Sequence, residues 1–309
     1  MSRDRDPIVV ALLVIALAGC SGGGAPSATP SAAVASATSS LVATPPALSA
    51  ATGHIEVDGL TRDYLVVTPP DVADRDSLPL LIALHGRTGT IADAETISGY
   101  DAMAIDPGAV LVYPQGYEGS WNAGSCCAPA STEGVDDVGF LRALIDQMEA
   151  DYPIDPNRVF VAGGSNGGEM AERAACELSE RIAAIADVSG TLLVDCHPSQ
   201  PVSVVAIHGM ADVYIPIDGG ITVDPSCQDA PCPAFADTME RWRQIDGCAG
   251  DPTVTEDQFT IETAWAVCDA GTAVDFIAVK GKGHDWYTSN PDDRAVTWEF
   301  FMNHPRSAG

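Results

Sequence analysis

Basic residues are scarce in this chain. Its 309 residues include only 15 lysines and arginines against 43 aspartates and glutamates, a formal charge of −28 at pH 7. A surface that negative repels phosphate backbones, which excludes nucleic acid as a partner and suits a well-hydrated exterior. Long apolar runs are missing too. The stretch Ile8 to Leu17 is too short to cross a bilayer as an ordinary helix. No CxxC pair or paired histidines accompany the cysteines, so a zinc-type site lacks its ligand set. No lysine completes a phosphate-binding loop and no G-x-G-x-x-G occurs, so nothing calls for a nucleotide, a cofactor or a metal. Internal repeats are absent as well.

The N-terminal segment has its own character. Arg3 and Arg5 precede the apolar stretch, and Leu17-Ala18-Gly19-Cys20 resembles a bacterial lipobox. Residues 1–19 therefore read as an export signal, with Cys20 the expected lipidation site. Asp4 and Asp6 offset the two arginines, so an ordinary cleaved signal is the alternative. Residues 20–50 carry Ser, Gly, Ala, Pro and Thr without a charge, a composition unable to offset its ordering entropy. They read as a tether holding the folded domain, residues 51–309, off the outer face of a membrane. The oligomeric state is not legible.

Without Cys20, eight cysteines remain, an even set that in an exported protein implies disulfides. Cys227 and Cys232 flank a short loop, and Cys248 and Cys268 bracket a polar segment; these are the expected pairs. Cys126, Cys127, Cys176 and Cys196 form a group whose pairing stays open.

Short apolar runs alternate with longer amphipathic segments, the pattern of a sheet covered by helices. His54 to Val57 and Tyr64 to Thr68 read as an edge hairpin. Leu78 to Leu84, Ala109 to Tyr113, Val159 to Ala162, Ala183 to Val188, Val202 to Ile207 and Val274 to Val279 read as buried strands. Helices are expected from near Asp137, over Ala234 to Ile245 and over Asp293 to Asn303. The expected fold is α/β: a mostly parallel sheet of about eight strands with helices on both faces.

The strongest chemical signal is Gly163-Gly164-Ser165-Asn166-Gly167, which follows an apolar strand and precedes a helix-like run. A G-x-S-x-G in that setting is a nucleophile elbow, with Ser165 pushed clear of the sheet at a helix N-terminus. A serine hydroxyl needs a base, and the base needs an orienting acid. In this fold the order is serine, acid, histidine. Among the downstream histidines, His197 and His304 lack a strand that delivers them, and His208 reads as scaffold. His284 follows the last strand after Gly281-Lys282-Gly283. Asp212 lies just beyond the strand ending at Ile207, with Asp218 the alternative; Asp285 adjoins His284 too closely in sequence to serve. The N–H groups of Asn166 and Arg87, with Thr88 in reserve, are the expected oxyanion-binding donors. Trp121, Tyr214 and Trp286 are candidate walls of a substrate pocket, with plain burial the alternative for each.

Leu84-His85-Gly86, Tyr113-Pro-Gln-Gly116, Trp121-Asn122, Asp136-Asp-Val-Gly-Phe140 and Gly164-Ser-Asn-Gly-Gly168 resemble, in order, the polyhydroxybutyrate depolymerase and feruloyl esterase group, close to carbohydrate esterase family 1. So do Ile207-His-Gly with Asp212, and Gly283-His284 with Trp286. The resemblance implies an α/β-hydrolase fold, no cofactor, and hydrolysis of carboxylic esters through an acyl-enzyme carried by Ser165, Asp212 and His284. The chain departs from the pattern at Arg87-Thr88 and at Asp285 and Tyr287, beside the expected acyl pocket, so the preferred ester is the least transferable property. A peptidase with the same triad, or a binding lipoprotein on the same fold, are the competing readings.

Overall fold

The continuous Val/Ile/Leu/Ala runs form the centre of a ten-stranded sheet. The computed structural model describes residues 47–221 and 231–307, all within one unit spanning Pro45–Gly309. The strands are β1 (Ser49–Val57), β2 (Leu60–Thr68), β3 (Leu78–Leu84), β4 (Val110–Pro114), β5 (Ile154–Gly164), β6 (Ala184–Val188), β7 (Ser203–Gly209), β8 (Thr253–Glu256), β9 (Thr260–Trp265) and β10 (Val274–Val279). They lie in the order β1-β2-β4-β3-β5-β6-β7-β10-β9-β8. From β4 to β10 the pairing is parallel, and the flanking strands on either side are antiparallel.

Seven helices cover the described sheet: α1 (Ile91–Ser98), α2 (Asp101–Ile105), α3 (Ala130–Glu133), α4 (Asp137–Asp151), α5 (Asn166–Glu177), α6 (Phe235–Ile245) and α7 (Asp293–Asn303). Alternation along each buried strand divides the core in two. Leu80, Ile82, Val161 and Val204 point toward α4, α5 and α6, whose Leu141, Met170 and Trp242 complete one layer. Leu81, Phe160, Val205 and Ile277 point to the other side, where Tyr100, Trp298 and Phe301 close the second. Phe160 and Phe301 stack with centroids 4.7 Å apart.

Two features differ from the expectation. The sheet has ten strands rather than about eight, because β8 and β9 add an edge hairpin. All four residues of β8 are exposed, so no apolar run announces it; backbone pairing with β9 alone defines it. The folded domain also begins before residue 51. Ser49 pairs with Thr68, and Leu48 packs against the second core layer. Among the described residues no helix is long and apolar enough to cross a membrane. The expected export signal and Cys20 lie outside the described residues.

Cys248 and Cys268 are joined as expected, and the open group resolves into Cys126–Cys127 and Cys176–Cys196. Cys232 is disulfide-bonded as well; its expected partner Cys227 lies outside the described residues.

Candidate active site

Ser165 stands between β5 and α5 with φ 55° and ψ −124°, a backbone strained for any residue with a side chain. The neighbouring glycines make that turn possible. A Cβ on Gly167 would sit 2.5 Å from the Leu84 carbonyl oxygen, and one on Gly163 would collide with the Gly167 backbone. Ser165 N–H donates to the Val188 carbonyl at 2.8 Å, anchoring the elbow to β6. The side chain emerges at the N-terminus of α5, where unpaired N–H groups and the helix dipole favour negative charge.

His284 reaches the same place from the loop after β10. That loop is tied down from several sides. Ala211 N–H donates to Lys282 O at 2.7 Å, the Tyr287 hydroxyl to Gly283 O, and Tyr287 N–H to the Asp293 carboxylate at 2.6 Å. Ser165 and His284 border one cavity of about 190 Å³, walled on its apolar side by Ile97, Val188 and Trp286. No hydrogen bond joins the two among the described residues; in unliganded sites this contact is often long and closes with substrate.

Asp212 supplies the carboxylate. Its Oδ2 lies 2.7 Å from His284 Nδ1, while Oδ1 accepts the N–H groups of Tyr214 at 2.8 Å and Ile215 at 3.0 Å. Burial works against its charge, but hydrogen bonds from His208, His284 and the Ile215 amide outweigh burial and hold the carboxyl well below its ordinary value. Among the described residues, it is Asp212 and not the alternative acid Asp218 that contacts His284. Asp285 Oδ1 accepts the Trp286 N–H at 2.9 Å. His197 is exposed beside Asp195, and the Nδ1 of His304 lies 2.7 Å from the Phe300 carbonyl.

The loop expected to complete the oxyanion site lies beside the serine: a Cβ on Gly86 would sit 3.6 Å from Ser165 Cβ. Thr88 N–H already donates to Gly119 O at 2.7 Å, so the reserve donor is engaged. His85 shapes this loop as scaffold. Its Nε2 accepts the Gly116 N–H at 2.9 Å, so Nδ1 carries the proton donated to Gly86 O at 2.7 Å. Burial lowers its pKa, in keeping with that uncharged role.

Trp121 is corrected from pocket wall to scaffold. It is fully buried and does not border the cavity. Its indole N–H donates to His85 O at 2.9 Å, and its backbone N–H donates to the Asn166 side chain at 2.8 Å. The adjoining motifs serve the same scaffold: Asn122 N–H donates to Asp137 at 2.7 Å, and Asp137 pairs with buried Arg62 at 2.6 Å. Tyr214, 48% exposed, lies against the His284 ring with centroids 5.4 Å apart, outside the cavity wall. Trp286 does border the cavity and meets Tyr100 edge-on at 6.1 Å.

Ile97, Val188 and Ser189 in the cavity wall are not singled out by the sequence: the first two look like any apolar core position of a helix and a strand, and Ser189 is a lone serine just past β6 with no motif around it. The contact of His208 with Asp212 is not singled out either, although the spacing His-Gly-x-x-Asp hints at it. Cys126, Cys127 and Glu169 lie close together, but the two sulfurs are bonded to each other and offer no thiolate to a metal.

The fold and this geometry define an α/β-hydrolase. Residues 133–237 match the phospholipase/carboxylesterase family model. The candidate esterase NocK of Nocardia uniformis subsp. tsuyamanensis is 31% identical over 253 residues, covering 75% of this chain and 73% of that protein. Feruloyl esterase B of Piromyces equi is 28% identical over 249 residues, 77% of this chain and 44% of that enzyme, so the chain spans under half its length. Acetyl xylan esterase from Aspergillus awamori has the same fold, with a TM-score of 0.62 at 16% identity over 82% of this chain and 99% of that one. The chain belongs to this family of carboxylic ester hydrolases.

Proposed function

We propose that this protein cleaves aryl or short hydroxyacyl esters, such as a feruloylated sugar or a hydroxyalkanoate oligomer, through an acyl-enzyme on Ser165. Ser165 Oγ attacks the ester carbonyl and gives its proton to His284 Nε2. His284 returns it to the departing alcohol, and Asp212 holds the imidazole with Nδ1–H directed at its carboxylate. The N–H groups of Asn166 and Arg87 bind the negative oxygen of the tetrahedral intermediate. Water then repeats the sequence on the acyl-enzyme and frees the acid. No metal or cofactor enters these steps. The observation that carries the reading is the shared cavity: an elbow serine and a carboxylate-bound imidazole border the same apolar-walled space.

The substrate class rests on that wall and on the names of the relatives. Ile97, Val188 and Trp286 offer an acyl group apolar contact and one aromatic face. Initial rates on methyl ferulate, acetylated xylan, hydroxybutyrate oligomers and an amide matched to the best ester test it. An aryl or hydroxyacyl ester is expected to lead acetylated xylan in kcat/KM by about tenfold or more, and the amide to be slower still. Faster amide cleavage would favour a peptidase.

The disulfides suit an oxidising compartment, and the lipobox-like segment supports a domain tethered to the outer membrane face through Cys20. Membrane-fraction recovery from the native host checks this: the wild type should sediment with membranes and Cys20→Ala should be released. A wild type found wholly in the medium would rule out the anchor.

A further inference from the structure

His208, at the end of β7, takes no part in the steps above, yet it is buried against them. Its Nε2 lies 2.7 Å from the Ile215 carbonyl oxygen and 3.3 Å from Asp212 Oδ2. Both are acceptors, so the ring proton sits on Nε2 and is shared between them. Asp212 Oδ2 is also the atom that meets His284 Nδ1. The loop closes on itself: His208 donates to Ile215 O, and Ile215 N–H donates back to Asp212 Oδ1. The Nδ1 atom is buried without a hydrogen-bond partner among the described residues, so the side chain's one polar task is at Nε2. Phe235 of α6 packs on the ring with centroids 4.6 Å apart. In such a place an apolar side chain of similar size would avoid the cost of a half-satisfied imidazole, so the N–H must supply what that residue could not.

We propose that His208 is a positioning residue for the reaction. It clamps Asp212 so that Oδ2 is held toward His284, and it tempers the negative charge which that oxygen presents to the imidazole. This rests on the reading of Ser165, His284 and Asp212 given above. The titratable groups facing His208 are Asp212 on its own loop, His284 from the loop after β10, and Asp187 from β6, whose charge also acts on it. Asp187 is itself buried and its carboxyl raised by that burial.

His208→Met removes the donor while filling the space. His208→Gln restores a donor near the place of Nε2. With rates divided by the active-site titre from a fluorophosphonate probe, the Met variant should lose about 10- to 100-fold in kcat with KM within about twofold. The acid limb of its kcat/KM profile should move to higher pH by about half a unit or more, because the oxygen facing His284 is left more negative. The Gln variant should recover kcat to within about threefold and return the limb toward the wild-type position. A purely structural role would lower the titre and leave both the limb and the titre-corrected kcat in place, which would overturn the proposal. Should the Met variant fail to fold, nitrogen-15 spectra of the histidine-labelled wild type still decide: a His208 ring protonated on Nδ1 instead of Nε2 contradicts the clamp. Absence of probe labelling on the wild type would instead remove the reading of Ser165 on which the clamp rests.

Discussion

Ser165→Ala is expected to lower kcat on a chromogenic short-chain ester by about four to six orders of magnitude, with the fold unchanged. The size follows from what is lost. Without Oγ no acyl-enzyme forms, and what persists is the smaller contribution of oriented N–H donors and substrate binding. The fold should tolerate the change, because Ser165 Oγ has no hydrogen bond to lose among the described residues and the strained turn is set by its glycine neighbours. Matching circular dichroism and thermal unfolding midpoints, together with steady-state rates, check this. Retention of more than about a hundredth of wild-type kcat would take the nucleophile's role from Ser165.

Asp212→Asn carries the second-largest effect, a loss of about 10⁴ in kcat by analogy with other serine hydrolases. Asp212 sits with four donors around it: two amides on Oδ1, and His284 and His208 on Oδ2. The carboxylate satisfies all of them, whereas an amide brings its own N–H₂ against N–H donors and turns the imidazole to the wrong tautomer. The charge matters across the working range. A carboxyl held well below its ordinary value keeps whatever it contributes at every pH above the unfolded-state value of about 4, and that contribution fades only as pH falls through the folded-state value. Activity loss in the Asn variant should therefore persist across about pH 5 to 9, with the acid limb of its profile displaced to lower pH because the imidazole has lost its anionic partner. A loss confined to one end of that range would show that the carboxylate titrates there.

The elbow, the order of the triad candidates and the central strands were legible because each is written locally. A Gly-flanked serine between a strand and a helix has few other uses, and buried parallel strands need continuous apolar runs. The β8–β9 hairpin was illegible because edge pairing asks only for backbone groups. Trp121 misled for a different reason: an aromatic residue in a loop near the site can face the cavity or brace it, and only the hydrogen bond from its indole to His85 O distinguishes the two. Ile97 hides in α1, a helix whose place over the serine is set by tertiary packing. His208 reads as scaffold and is buried as scaffold; the four-residue spacing hints at its link to Asp212, but its second acceptor, the Ile215 carbonyl, is brought there by a return of the chain that no periodicity reveals.

A hydroxyl at 165 made reactive by its surroundings is what the rest stands on. Treating the intact protein with a fluorophosphonate and mapping the adduct by mass spectrometry addresses it without any choice of substrate. One adduct per chain on Ser165, abolished in His284→Ala, is the expected result. An adduct on another residue, or none in a preparation that still hydrolyses esters, would contradict it.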